Sequence, residues 1–320
     1  MGFSAIPPRN DTAIIVPAIN YWAQRSDAAI IHASPPWAAM IGGAPPAAAV
    51  DSVEVPLANY FRAKGLALVF TVDATDGLDR SKEAPELVAL GRSVTDTAIQ
   101  RLYREWVFAV ADKLHPEYLG LAAETNLIRA AAPDSVYQAV RVMANAVAAQ
   151  IRAAAVPCKL YVSVQVEVAW GRPSGPYQGI AQDLTDFPFV DALGLSSYPY
   201  LGGFAVPEDI PLDYYSKVAE GTTLPVLVVE GGWPSIAVGS FVSSPAVQAR
   251  YITRQLALLD HAAARGVFQL TFYDLDLSGI SPPPPPNIGL FTHLGLADSA
   301  MNAKPALAVW DNAFRRPYSP

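Results

Sequence analysis

The chain of 320 residues contains one cysteine, Cys158. No intrachain disulfide and no thiolate metal cluster can form from it. It opens an apolar strand, so a small buried hydrophobe is expected there rather than a nucleophile. Positive charge is also short: 22 Lys and Arg face 29 Asp and Glu, for a net charge of −7. No basic stripe appears along the chain, which excludes the electrostatic footprint of a nucleic-acid binder. No run of 18 apolar residues occurs, so no membrane span is expected. The start, "MGFSAIPPRN", lacks the apolar stretch of a signal peptide. That weighs toward the cytoplasm, yet a secreted or periplasmic protein whose signal is absent from this sequence fits as well, and the compartment stays open. Only 16% of residues are charged while 52% are hydrophobic, which suits a large buried core and argues against disorder.

What is present is an alternation of short apolar runs with amphipathic ones. Strands are predicted at 2–7, 28–33, 66–72, 118–124, 159–168, 190–197, 224–229 and 267–274. Helical patterns lie between them. One follows Ser93, which with Asp96 resembles a capping box; Ile99, Leu102, Trp106, Val110 and Leu114 form its apolar face. Others are predicted at 11–25, at 133–155 with Pro133 in the first turn, and at 211–219. A further helix runs from the N-cap Ser244 to the stop Gly266, and a closing one spans 304–314. Eight strands alternating with helices imply parallel βαβ units, and eight units point to an α/β fold: a single-domain (β/α)8 TIM barrel over residues 1–320. The proline run "SPPPPPN" (281–287) reads as a stiff loop after the last strand rather than a boundary.

In such a barrel the chemistry sits at the C-terminal strand ends. The polar residues collect there: His32, Asp73 and Asp76, Glu124 and Asn126, Gln165 and Glu167, Ser196 to Tyr200, Glu230, and Tyr273, Asp274 and Asp276. Alternation on the fifth strand puts Tyr161, Ser163, Gln165 and Glu167 on one face and four valines on the other. The valines suit the helix layer, so Gln165 and Glu167 should face the barrel mouth.

Glu124 and Glu230 close the fourth and seventh strands, which lie across a barrel from one another. Their sequence separation corresponds to roughly 35 residues per βα unit, close to what a barrel of ~250 residues requires. Two carboxyls placed so have a direct use in glycoside hydrolysis, where one protonates the leaving oxygen and the other attacks or stabilises the anomeric carbon. Trp37, Trp170, Tyr198, Trp233 and Tyr273 follow strand ends as well. Flat rings with a polar edge suit the apolar faces of sugars. A phosphate ligand would instead call for glycine-rich turns with Lys or Arg.

At this point the sequence resembles the clan A glycoside hydrolases, retaining barrel enzymes with glutamates closing strands four and seven. "PVLVVEGGWPS" is similar to the nucleophile segment of the β-1,3-glucanases and arabinogalactan endo-β-galactanases, and "GLFTHLGLADSAMNAKPALAVWDNAF" looks like their closing loop and helix. The resemblance implies Glu124 as acid/base and Glu230 as nucleophile, with Tyr198 matching a tyrosine that orients the nucleophile. One position departs: the clan has Asn immediately before the first glutamate, and here it is Ala123. Asn126 or Gln165 is expected to supply the missing contact.

Plainer roles compete with these. Glu230 could be a salt-bridged strand end, and Glu124 the partner of an arginine such as Arg129. Glu167 divides between sugar binding and ion pairing and is the reserve second carboxylate. Asp73 and Asp274 divide between sugar hydroxyls and loop capping. His32 suits a pocket wall better than a metal, since no His/Asp cluster accompanies it. Trp106 and Trp310 sit on helices and are packing residues. The expectation is a monomeric retaining glycosidase acting on a β-linked oligo- or polysaccharide, without cofactor or metal. The rivals are a non-catalytic carbohydrate-binding barrel and, more distantly, a phosphate-handling lyase or isomerase. Whether action is internal or at chain ends depends on the insert at 74–92 and the proline loop.

Overall fold

The computed structural model describes residues 1–281 and 283–317. Eight parallel strands close into one barrel in sequence order: β1 (Gly2–Ser4), β2 (Ala28–Ala33), β3 (Ala67–Val72), β4 (Tyr118–Gly120), β5 (Lys159–Gln165), β6 (Ala192–Ser197), β7 (Val226–Gly231) and β8 (Gly266–Gln269). β1 pairs with both β2 and β8, which completes the ring. Parallel neighbours need crossover connections, and helices such as Thr12–Ala23, Thr97–Leu114, Asp134–Ala153 and Pro245–His261 supply them outside the sheet.

The hydrophobic residues divide into two cores by strand period. Ile30, Val69, Tyr161, Ala192, Leu227, Val229 and Phe268 fill the barrel axis. The residues next to them, such as Ala29, Leu68, Leu160, Val162, Leu193 and Val228, face the helices in a larger core. On β5 the expected phase holds: Tyr161 points inward, and Val162 and Val164 point to the helix layer. Tyr161 takes up much of the axis, and Gly120 and Gly194 make room for it. A Cβ at either glycine would sit 2.6 or 2.8 Å from the Tyr161 ring. The Tyr161 hydroxyl is held by Thr71 Oγ1 at 2.5 Å.

Several elements differ from the sequence reading. Ser93 does not cap the Thr97–Leu114 helix: the N-cap is Asp96, and the Ser93 hydroxyl bonds to Glu83 instead. The Asp96 carboxylate still reaches back to the Ser93 N–H. Residues 212–221 form turns rather than a helix, and that stretch is anchored to the core by Tyr214, Tyr215 and Val218. The Pro245–His261 helix does start at Ser244, whose hydroxyl accepts from Val247 N, but it ends at His261 and not at Gly266. Gly266 already belongs to β8, and its Cβ would press on Leu227 at 3.2 Å. β8 stops at Gln269, so Tyr273 and Asp274 lie in the following loop. Residues 283–285 of the proline run form a loop that leads into a 3-10 turn at Pro286–Leu290, which takes in the end of the run; Pro282 is outside the described residues. Among the described residues no helix is long and apolar enough to cross a membrane.

Candidate active site

The mouth of the barrel is built by residues that continue the inward phase of each strand. On β2, His32 follows Ile30, and on β3, Asp73 follows Val69 and Thr71. On β6, Ser196 follows Ala192 and Gly194. The seventh strand breaks this simple rule. Leu227 and Val229 already point inward, so strict alternation would send Glu230 out beneath the helices. The pairing of β6 with β7 shifts instead: Leu195 lies opposite Val228, and Ser196 lies opposite Glu230. Val229 is the extra residue of a β-bulge, which re-aims Glu230 into the mouth. Gly231 then passes so close to β6 that a Cβ would sit 2.5 Å from the Ser197 carbonyl oxygen. This close approach explains the glycine that follows Glu230 in "EGGWP".

Glu124 is placed by a different device. β4 ends at Gly120, and the backbone reaches Glu124 in the left-handed region, at φ 49° and ψ 48°. A non-glycine residue there carries a cost on the order of 1 kcal/mol. Ser163 of β5 holds it, its hydroxyl accepting from Glu124 N at 2.9 Å, and the Glu124 carbonyl accepts from Leu127 and Ile128 N as the helix Thr125–Ala131 begins. The turn delivers the carboxylate to the axis.

The two carboxyls meet around one hydroxyl. Ser196 Oγ lies 2.6 Å from Glu124 Oε1 and 2.9 Å from Glu230 Oε1. Those two carboxyl oxygens are therefore no farther apart than the sum of these distances. The Tyr198 hydroxyl donates to Glu230 Oε1 at 3.1 Å, and His32 Nε2 lies 3.5 Å from Glu230 Oε2. On the other side, Arg80 Nε donates to Glu124 Oε2 at 2.8 Å, while its Nη1 binds Asp73 and Thr75. Arg80 comes from the insert after β3 and is 6% exposed.

Burial is the largest influence on Glu124, Glu230, Arg80 and His32. It lifts the Glu124 carboxyl above the ordinary range; Arg80 pulls it down, and Glu230 pushes it up again. Glu230 is lifted by the same burial against Arg80. The pair thus titrates above ordinary carboxylates, with one charge near the other opposing double ionisation. Burial opposes the charge on Arg80, but Asp73 and Glu124 more than restore it and the guanidinium stays cationic. Burial pushes His32 down to about 4, so it is neutral near pH 7.

Glu167 is not at the mouth. β5 ends at Gln165 and the chain turns into the short helix Val166–Ala169, which carries Glu167 out of strand phase into the wall. Its Oε1 accepts from Tyr198 N at 2.9 Å and from the Tyr214 hydroxyl at 3.0 Å. Burial lifts this carboxyl to about 7. It braces the backbone of the tyrosine that meets Glu230. Asn126 does not turn to the mouth either: its amide bonds the Gln165 backbone in both directions, at 2.8 and 2.9 Å, tying the ends of β4 and β5 together. Gln165 keeps its side chain half-buried beside them.

The expected sugar platforms are mostly core. Trp37, Trp233 and Tyr273 are fully buried; Trp233 stacks on Tyr251 at 5.1 Å, and the Tyr273 hydroxyl bonds the Ala18 carbonyl. Trp170 is half-buried and stacked on Tyr214 in the wall. Asp274 is a structural anchor, accepting from Lys304 Nζ at 2.5 Å and from Gly295 N at 3.2 Å. Asp73 lies at the mouth but is committed to Arg80 and to capping Thr75 N. Arg129, considered as a partner for Glu124, pairs with Asp183 instead. Arg80 is the central residue that the sequence does not single out, since it carries no signal beyond being a cation inside the insert; Ser196 is legible as a polar residue at the end of β6, but without a role. At the rim, Asn287 Nδ2 donates to the Leu78 carbonyl, joining the proline loop to the insert. Among the described residues no three His, Cys, Asp or Glu side chains are grouped so as to hold a metal ion.

No family model matches the chain, and no curated protein matches it in sequence. Solved structures do match in fold, and glycoside-processing enzymes are among them. An apo beta-glucosidase 1317 is 14% identical with a TM-score of 0.64, over 95% of this chain and 87% of that one. A GH5_18 protein from Bifidobacterium longum subsp. longum is 16% identical with a TM-score of 0.64, over 99% and 80%. The exo-beta-1,4-mannosidase Op5Man5 from an Opitutaceae bacterium is 16% identical with a TM-score of 0.65; the alignment covers 98% of this chain but 58% of that one. At these identities the likeness carries the fold.

Proposed function

We propose that the chain is a glycoside hydrolase that cleaves a β-linked glycoside with retention, with Glu230 as nucleophile and Glu124 as acid/base. The observation that carries this reading is the single Ser196 hydroxyl within 2.6 and 2.9 Å of the two carboxyls. It holds those two carboxyl oxygens no farther apart than the ~5–5.5 Å of double displacement and short of the ~6.5–9.5 Å that inversion needs for an intervening water. In this mechanism the Glu124 proton passes to the leaving oxygen as Glu230 Oε attacks the anomeric carbon. Water then enters, Glu124 takes its proton, and the oxygen displaces Glu230 to release the sugar. Tyr198 donates to Glu230 and steadies the oxygen that bears the charge. Neutral His32 can offer or accept one hydrogen bond beside it. The matched folds include enzymes named for β-glucosides and β-1,4-mannosides, which supports a β-linked substrate. The hydrogen bond from Asn287 to the Leu78 carbonyl joins the β3 and β8 loops, which supports attack at a chain end over attack within a long polymer.

The test is a panel of aryl β-glycosides and β-linked oligosaccharides, read by product chromatography with the anomer of the first product followed by NMR. Retained configuration and release of short products are expected, with both lost in Glu230→Ala. Inverted product, or full activity in that variant, overturns the reading.

A second reading, a glycan-binding barrel without turnover, is favoured by two observations. Ala123 stands where the resembling family has Asn, and Arg80 pairs directly with Glu124, which stabilises the anion that an acid catalyst must not be. Saturable binding of a β-glycan by calorimetry, with no product after prolonged incubation, would select it.

A further inference from the structure

The contact between Ser196 and the two glutamates holds more than proximity. A serine hydroxyl has one proton and can donate it once. Ser196 Oγ nevertheless lies within hydrogen-bond distance of both Glu124 Oε1 and Glu230 Oε1. If both carboxyls were ionised, one of the two contacts would set lone pairs against lone pairs in a site nearly closed to solvent. Both contacts are satisfied only when one carboxyl carries a proton and donates it to Ser196 Oγ, while Ser196 donates its own to the other.

We propose that Ser196 is a positioning residue that locks Glu124 and Glu230 into a one-proton unit and lets that proton change sides. In one form Glu124 is the acid, donating to Ser196 Oγ, and Ser196 donates to ionised Glu230. A concerted shift breaks the Glu124 O–H bond and forms one at Ser196 Oγ, as the original Ser196 proton passes to Glu230 Oε1. Glu124 is left ionised beside Arg80, and Glu230 is protonated; no proton enters or leaves. The first form is the one competent for attack on a glycoside. This inference deepens the glycosidase reading and rests on it for its catalytic meaning.

The surroundings hold the two forms in competition. Arg80 from the insert after β3 faces Glu124 with Asp73 on its other arm, and the guanidinium favours the form with Glu124 ionised, while the Asp73 charge opposes ionisation of Glu230. Tyr198 from the end of β6 donates to Glu230 and favours the form with Glu230 ionised. His32 of β2 faces Glu230 from the far side. Glu167, from the turn after β5, and the Tyr161 hydroxyl of β5 lie close enough to interact with the pair. Ser196 is itself fixed: it is fully buried, and the β-bulge sets it directly opposite Glu230.

The test titrates the carboxyls without any substrate, so it stands or falls separately from turnover. Isotope-labelled glutamate carboxyls are followed by NMR against pH, with Glu124→Gln and Glu230→Gln assigning the two signals. In the wild type the pair should lose its protons in two well-separated steps, each signal moving in both. Ser196→Ala should narrow the separation by about one pH unit, the effect of losing one hydrogen bond to a charged group. Ser196→Cys, a poor donor of nearly the same shape, should do the same, and Ser196→Thr should keep the wild-type separation. A separation unchanged in the Ala and Cys variants overturns the proposal, as does independent single-step titration in the wild type.

Discussion

Arg80 Nε stands 2.8 Å from Glu124 Oε2, both side chains are buried, and the other arm of the guanidinium is on Asp73. One cation therefore sits between two carboxylates at the mouth of the barrel. Breaking a buried pair by removing one partner leaves an uncompensated charge, which costs roughly 3–5 kcal/mol.

Arg80→Met should accordingly lower stability by about that amount in denaturant unfolding near neutral pH. The loss should shrink when Glu124→Gln and Asp73→Asn are added, because no buried charge then lacks a partner. A single Arg80→Met variant with wild-type stability would mean that the site is wetter than its burial implies. Where turnover is measurable, the basic limb of the pH profile should move upward in Arg80→Met, since the cation that opposes protonation of Glu124 has gone.

The two glutamates should be separable by the stereochemistry of rescue. Glu124→Ala should slow cleavage of substrates with poor leaving groups by ~10²–10⁴ and have much less effect on activated aryl glycosides. Azide then enters the cavity beside an intact glycosyl-Glu230 and gives a glycosyl azide of retained configuration. In Glu230→Ala the azide must attack the substrate directly, and the product should be inverted. Product configuration by NMR checks both. The opposite pairing would exchange the two roles.

The strand order and the barrel were legible in the sequence because eight apolar runs alternate with helical ones, and a buried parallel sheet demands just such runs. The identity of Glu124 and Glu230 as strand-end carboxylates was legible for the same reason. Their aim was not. Period two counted from Leu227 and Val229 points Glu230 outward, and only the extra residue at Val229 turns it in. Glu124 likewise depends on a left-handed residue that no propensity favours. Arg80 comes from a loop 44 positions away, where no periodicity constrains direction. Trp37, Trp233 and Tyr273 misled in the other sense. Past the last strand residue a large ring is free to turn, and burying its area beneath the loops wins over exposing it.

That burial has a measurable consequence. Trp233→Ala should destabilise the fold by about 3–5 kcal/mol, the range for deleting a large buried aromatic. Asp274→Asn should also destabilise it, because Lys304 Nζ loses the carboxylate it meets at 2.5 Å in a site where burial already disfavours its charge. Asp274→Asn should leave KM for any processed glycoside near the wild-type value once the protein is folded. A rise in KM without a change in stability would restore Asp274 to the ligand.

The pH dependence of stability should contain two opposing slopes from His32 and Glu167. Burial holds His32 at about 4, below its ordinary value of 6.5. Between those values the unfolded chain binds the proton and the folded one does not, so this group's contribution is present above pH 6.5 and is lost as pH falls toward 4. Glu167 is raised from 4.5 to about 7. There the folded chain binds the proton and the unfolded one does not, so its contribution is complete below pH 4.5 and is lost as pH rises through 7. Across the overlap the two slopes, each at most about 1.4 kcal/mol per pH unit, largely cancel. Glu167→Gln keeps an acceptor for Tyr198 N and the Tyr214 hydroxyl but cannot titrate. Relative to the wild type, its stability should fall more steeply on acidification. His32→Gln should show the converse, with stability declining more steeply as pH rises through the overlap. Denaturant unfolding of both variants at several pH values reads the two slopes directly, and parallel curves for wild type and both variants would remove His32 and Glu167 from the linkage.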